Sequence, residues 1–318
     1  MTLKAVIGLI RASALSAALF LAGGAIPFAG ALLMLLTPAP IIGHAVGRPA
    51  GVWRATAAVV LTATVVGLAA GPFALMTYTV SFGLATAIIC YMLERQMRFE
   101  AIVAVATGAV LAAGSITLVI AAGSPAALVA TFRDSLSAAL ARADQIYKLM
   151  GISPGTEVDS HAKLASMIVQ LGPALAGITA ASTVLINLAV FWRWVGKKRL
   201  SYKLFGDLAR WSTPEWLIWV LIAAGFALFV PAEPARTAAL DVFIGVATIY
   251  FCQGLAVMAF YLKMLSTPAP WRGVIYFIAG VQPVLAALVS AVGVFDLWVD
   301  FRRLRPTSPQ GDSFSDLM

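Results

Sequence analysis

The sequence predicts an all-α fold, a polytopic bundle of eight to nine transmembrane helices with an interfacial amphipathic helix in a 40-residue loop. Three observations predict it. Hydrophobic residues make up 61% of the 318 and charged residues only 11%, where an ordinary soluble domain carries roughly a quarter. Apolar stretches recur from Ala5 to Val292, most of them close to the about 20 residues a helix needs to cross the hydrocarbon core. Short Pro or Gly turns separate several of them, which places successive segments antiparallel. Segments in lipid must be helical, because an open sheet leaves backbone groups without partners.

In chain order the spans are expected near 5–23, 28–46, 54–71, 73–93, 101–122, 164–192, 214–231, 238–262 and 273–292, all in a single integral-membrane domain over 1–305. The turns include Ile26-Pro27, Gly71-Pro72 and the run from Val230 to Pro234. Lys4 and Arg11 followed by an apolar run resemble a signal peptide, but the run is too long and reads as the first span. The second segment is interrupted by Pro38 and Pro40.

Lys and Arg set the orientation. With the N-terminus inside, the inner connections hold Arg48 and Arg54, Arg95 and Arg98, the set from Arg193 to Arg210, then Lys263 and Arg272. The pattern holds through eight spans and fails at the ninth. Arg302, Arg303 and Arg305 favour the inside, whereas nine crossings place them outside. One segment is therefore expected not to cross, and the second is the first suspect.

Two stretches are too polar for the core. In the loop 124–163, Ser124-Pro125 reads as an N-cap and N1 pair. Leu128, Phe132, Leu136, Leu140, Ala143 and Tyr147 follow at helical spacing, with Arg133, Asp134, Arg142 and Asp144 mostly off that stripe. A helix lying on the membrane surface is the expectation, with a docking element as the alternative. Residues 197–211 mix Lys197, Lys198 and Arg199 with aromatic and aliphatic residues and read as an interfacial helix on anionic lipid. The tail 306–318 reads as disordered.

The net charge of +8 sits at segment ends, so it points to membrane lipid and not to nucleic acid. Cys90 and Cys252 form no CxxC pair or Cys/His cluster, which argues against a disulfide framework and a metal site. No HExxH, Walker or intramembrane protease motif is present, so a catalytic residue and a cofactor are not expected, and an intramembrane enzyme acting on lipid is only the third reading. Polar groups inside spans are costly and are the functional candidates. These are His44, Asn187, Tyr250, Gln253 and Gln282, the last before a helix-breaking proline. Each also has a structural reading, as an interhelical hydrogen bond or a kink. Asp296, Asp300 and Arg302, spaced for a self-paired terminal helix, join Lys197, Lys198 and Arg199 as interfacial or partner-facing candidates.

Three runs order the C-terminal third: Arg210-Trp-Ser-Thr-Pro214, Gln253-Gly-Leu-Ala-Val-Met-Ala-Phe-Tyr-Leu262 and Gly293-Val-Phe-Asp-Leu-Trp-Val-Asp-Phe-Arg302. An Ala-rich first helix, the Pro38/Pro40 break and Gly47-Arg48 precede them. In this order the chain resembles the YybS-like family of predicted bacterial multi-spanning membrane proteins. That family is distantly similar to the substrate-binding subunits of energy-coupling-factor transporters, which work with a separate ATPase and coupling protein. The eight or nine spans and the 40-residue loop depart from that pattern.

The expectation is thus a multi-pass protein of the bacterial cytoplasmic membrane, transport-related, binding a small-molecule solute among its helices and engaging a coupling or ATPase subunit. The alternative is a membrane scaffold or assembly partner of a cell-envelope complex without its own ligand.

Overall fold

The computed structural model describes residues 3–26, 29–149, 165–198 and 211–302. Every element among them is helical. The chain divides into two compact units, Met1–Leu204 and Phe205–Met318.

The first unit contains α1 (Leu3–Ala25), the short pair α2 (Ala29–Leu35) and α3 (Ala39–Ala45), α4 (Gly51–Tyr78), a π turn (Thr79–Gly83), α5 (Leu84–Glu94), α6 (Phe99–Ala122), α7 (Pro125–Leu149) and α8 (Gly172–Lys198). The pair α2/α3 runs antiparallel to α1. Gly23 meets Met34, Ser16 meets Thr37 and Gly8 meets His44, so one number falls as the other rises. Pro38 and Pro40 withdraw the two N–H groups that would reach Met34 and Leu36 in a continuous helix. The N–H groups of Thr37 and Ala39 serve those carbonyls through tighter turns.

Helices α4 and α5 form a hairpin. Val52 N–H donates to Glu94 Oε1 at 2.9 Å, although a straight helix would hold residues 42 apart about 63 Å from each other. The reversal is at Gly71, whose φ of 89° is costly for any residue with a Cβ. Pro72 follows, starting the return limb. Gly83 brings the limbs together, since a Cβ there would sit 2.9 Å from Val59 Cγ1. Around the π turn, Tyr78 and Phe82 face Phe20 edge-on, with ring centroids 5.5 and 5.7 Å away. These aromatics occupy the centre of the unit.

The hydroxyl of Ser124 caps α7 by accepting from Ala127 N–H at 3.1 Å. Leu128, Leu136 and Leu140 are half-buried, whereas Phe132 is exposed. The side chains of Ala143 and Tyr147 and the remainder of the loop, 150–164, lie outside the described residues, as do 199–210 and the tail.

The second unit contains α9 (Leu217–Ala227), α10 (Glu233–Met264), α11 (Ala269–Val281) and α12 (Pro283–Val299). Helices α10 and α12 are parallel. Ser290 Oγ donates to the Ala247 carbonyl at 3.2 Å, Gln253 Nε2 to Asp296 Oδ2 at 3.0 Å, and Tyr261 Oη to the Phe301 carbonyl at 3.0 Å. Their backbones touch at two glycines. A Cβ on Gly254 would run into the Val289 carbonyl, and one on Gly293 into the Tyr250 carbonyl. Small residues at a helix crossing permit this approach.

The expected eight to nine spans are found in part. Among the described residues five helices are long and apolar enough to cross a membrane: Leu3–Ala25, Gly51–Glu94, Phe99–Ala122, Gly172–Arg193 and Ala235–Met264. The pair Ala269–Val281 and Pro283–Val299, bent by 101°, makes a sixth if counted as one. The segment expected at 28–46 is broken, and α9 with 11 residues spans only about 16 Å of the about 30 Å hydrocarbon core. The length criterion counts the α4–α5 hairpin once, although its two limbs run in opposite directions.

A straight ninth span would carry the chain to the far end of the unit. With α12 parallel to α10, the chain returns to the end where α10 finishes, which places Arg302 beside the Lys263 end. The second segment, the suspect from the sequence, is interrupted as well, into α2 and α3.

Gly254→Ala and Gly293→Ala should each cost about 1–3 kcal/mol of stability, because two backbones must separate. Gly245→Ala, on the same α10 with nothing within 4 Å of the added methyl, should be neutral or slightly stabilising in the same thermal melts.

Candidate functional site

Two buried polar centres stand out, one in each unit. In the second unit, four of the residues singled out from sequence meet: Tyr250, Gln253, Asp296 and Arg302. The chain enters α9 through the extended segment 211–214. Thr213 donates to Gln253 Oε1 from its backbone N–H at 3.1 Å and again from its hydroxyl. A backbone N–H can only donate, so the amide oxygen faces Thr213 and the amide nitrogen faces Asp296. Asp296 Oδ2 accepts from Gln253 Nε2 and, at 2.5 Å, from Arg302 Nη2. Arg302 Nη1 closes the ring by donating to the Trp211 carbonyl at 2.8 Å.

The geometry depends on how α12 ends. Asp300 has φ 46°, a left-handed stop that an aspartate tolerates better than most residues. It turns the chain so that Arg302 folds back six residues to Asp296. The side chains of the pair are 1% and 3% exposed, and Gln253 is 1% exposed. Tyr250 is fully buried one turn from Gln253, packed with Leu217, Val246 and Leu297. Asp296 Oδ1 accepts no hydrogen bond among the described residues.

This corrects the reading of Asp296 and Arg302 as interfacial groups. They are interior to the second unit, and only Asp300 is half-exposed. Gln282 does not join them. It is exposed at the bend, and along α12 it lies about 20 Å from the residue that Gln253 contacts. Lys197 and Lys198 end α8, but their side chains, and Arg199 altogether, lie outside the described residues.

In the first unit the centre is the α2/α3 break. Asn187 Nδ2, reaching from α8, donates to the carbonyls of Leu35 and Thr183 at 2.7 and 2.6 Å. Ser16 Oγ, from α1, donates to the Thr37 carbonyl at 2.8 Å and lies 3.5 Å from Tyr78 Oη. Side chains of two flanking helices thus hold backbone groups of the interrupted one. Both hydrogens of the Asn187 amide are used, which leaves Oδ1 as an acceptor with no donor among the described residues. Thr37 Oγ1 is likewise unpartnered there, and both residues are 0% exposed. His44 lies seven residues beyond Thr37, about 10 Å along the chain axis, so it belongs to the end of the unit and not to the break.

Among the described residues no group of three or more His, Cys, Asp or Glu is placed to hold a metal. Neither centre brings together a nucleophile, a base and a third orienting group.

The family comparison covers both centres. A model of predicted membrane proteins, DUF2232, matches residues 14–297. The chain belongs to the DUF2232 family of predicted membrane proteins. Its match spans Ser16, Thr37, Asn187, Gln253 and Asp296 and stops short of Arg302. Neither a curated protein nor a solved structure matches the chain.

Sequence reasoning missed Thr213, Trp211, Ser16 and Thr37. The first two stand in the quoted Trp-Ser-Thr-Pro run, where a functional reading was available. Ser16 and Thr37 carry no local signal, because isolated hydroxyls in apolar helices usually bond within their own helix.

Removing one partner of a buried pair strands the other charge, at a cost of about 3–5 kcal/mol. Arg302→Met should destabilise the second unit by that order, and the double change Asp296→Leu with Arg302→Met should recover part of it in chemical denaturation. Additive losses in the double variant would show that the two charges do not depend on each other.

Proposed function

We propose that this DUF2232 protein is a transport-related membrane protein that binds a small solute at the α2/α3 break. One observation supports this above the others. An interrupted helix lies inside the first unit with two fully buried oxygens, Asn187 Oδ1 and Thr37 Oγ1, that meet no donor among the described residues. Interrupted helices at the centre of a bundle are how secondary transporters offer backbone and side-chain oxygens to a solute. An unpaired buried oxygen costs roughly 1–3 kcal/mol, which a ligand carrying hydroxyl, amine or ammonium donors offsets. The likeness to the YybS-like family, and through it to energy-coupling-factor subunits, extends the reading to a coupling or ATPase partner in a bacterial cytoplasmic membrane.

A second reading, a membrane scaffold or assembly partner, draws on the other unit. There the Gln253 amide is consumed by Thr213 and Asp296, as in a packed bundle whose polar groups serve the fold.

The test is a thermal-shift screen of the full chain in nanodiscs against hydroxylated, amino and ammonium solutes. At least one class should raise the melting temperature, and Asn187→Leu should abolish that response while circular dichroism stays helical. No stabilising solute, together with stoichiometric recovery of a membrane partner in a pull-down, would replace this reading with the scaffold.

A further inference from the structure

The end of the first unit where α1 starts, α3 stops, α4 starts and α5 stops is built differently from the break. Six cations, Lys4, Arg11, Arg48, Arg54, Arg95 and Arg98, lie on its segments against two carboxylates, Glu94 and Glu100. Both carboxylates are engaged. Glu94 Oε1 sits on the Val52 N–H at the head of α4, and Glu100 pairs with Arg98 at 3.7 Å. Neither Arg48 nor Arg54 forms an ion pair among the described residues.

Of these two arginines, Arg48 is held in place. The turn after α3 carries Gly47 and Ala50 with φ of 77° and 54°, and it folds Arg48 back onto α3. There Arg48 Nη1 lies 2.9 Å from His44 Nδ1. A guanidinium only donates, so Nδ1 accepts and the neutral ring carries its proton on Nε2. His44 is 7% exposed and rests against Gly8, where a Cβ would come within 2.7 Å of its Cε1. The ring is a wedged, buried post, and Arg48 stands exposed on it with Nη2 and Nε available. Arg54 lies one turn along α4, half-exposed, and acts electrostatically on the same ring as Arg48 does. A cation in the first turn of a helix faces the positive end of its dipole, so Arg54 gains more than an ordinary surface arginine from a bound anion.

We propose that Arg48 and Arg54, with His44 as the positioning residue, form a site for a phosphate-type oxyanion. Two guanidiniums present more planar donor pairs than one carboxylate can accept, whereas a phosphate or phosphodiester has the oxygens to take both. The shared chemistry has two sources, free phosphate and the headgroup of an anionic phospholipid. This site is separate from the α2/α3 break and stands whether or not a solute binds there.

The experiment titrates the full chain in detergent with three probes: inorganic phosphate, dioctanoyl phosphatidylglycerol and dioctanoyl phosphatidylcholine, read as melting temperature and as affinity. Saturable stabilisation by phosphatidylglycerol but not phosphatidylcholine is expected. Competition by inorganic phosphate would assign the site to the free anion as well, and none would assign it to the lipid headgroup. Arg48→Gln and Arg54→Gln should each weaken binding about five-fold, from the roughly 1 kcal/mol that one basic residue contributes at an anionic surface. Arg133→Gln, on α7, should not. His44→Leu should weaken binding as Arg48→Gln does, and His44→Gln, whose amide oxygen can accept from Arg48, should restore it. The proposal is overturned if phosphatidylglycerol and phosphatidylcholine act alike, or if the Arg48 and Arg54 variants behave as Arg133→Gln does.

Discussion

A chain this apolar has nothing but itself to satisfy the backbone groups freed where its helices stop, and that constraint shapes both units. At the α2/α3 break, Asn187 and Ser16 supply donors to the carbonyls of Leu35 and Thr37. At the entry to α9, Gln253 takes the Thr213 N–H and Arg302 takes the Trp211 carbonyl. At the head of α4, Glu94 takes the Val52 N–H. Each of these three irregular segments is tied by a side chain from a different helix, so these polar residues act as joints of an otherwise greasy framework.

The most costly joint is the Asp296–Arg302 pair. Burying two charges is expensive, and a hydrophobic pair of similar volume is often as stable. What the pair supplies here is register. It ties the end of α12, set by the left-handed Asp300, to segment 211–214 through the Trp211 carbonyl, and links α12 to α10 through the Gln253 amide. A slip of either helix by one turn would move about 5 Å and break the ring at several bonds at once. Packing alone, between small residues and aliphatic side chains, discriminates registers poorly.

Both centres leave buried polar atoms over, in different settings. In the second unit the Gln253 amide is engaged by Thr213 and Asp296, while Asp296 Oδ1, Tyr250 Oη and Trp211 Nε1 have no partner among the described residues. In the first unit the joint is made by the donors of Asn187 and Ser16, and acceptor oxygens remain over. The solute reading rests on the break because its left-over oxygens, Asn187 Oδ1 and Thr37 Oγ1, sit beside an interrupted helix, although Gln253 looked the stronger candidate by type and position. The basic end, with His44 as a post beneath Arg48, has a third character, a charge excess held in defined geometry.

Read alone, the amino-acid order determined that the chain is helical and membrane-type, where the α1, α6, α8 and α10 cores lie, that Gly71-Pro72 reverses the chain, and that Ser124 begins a helix. Those are local or compositional properties, set by burial, turn chemistry and caps. It also marked Tyr250 and Gln253, because polar groups in apolar segments are rare, and it marked Asp296 and Arg302 as interfacial or partner-facing charges of a terminal helix. Tertiary structure decided what these groups do. Whether Asp296 faces an interface or an interior depends on α12 lying parallel to α10 after the 101° bend at Gln282-Pro283. A proline announces that a kink is possible, but its angle is set by what the next helix packs against. The same holds for Thr37 and Ser16, ordinary hydroxyls until a broken helix and its neighbour bring them together.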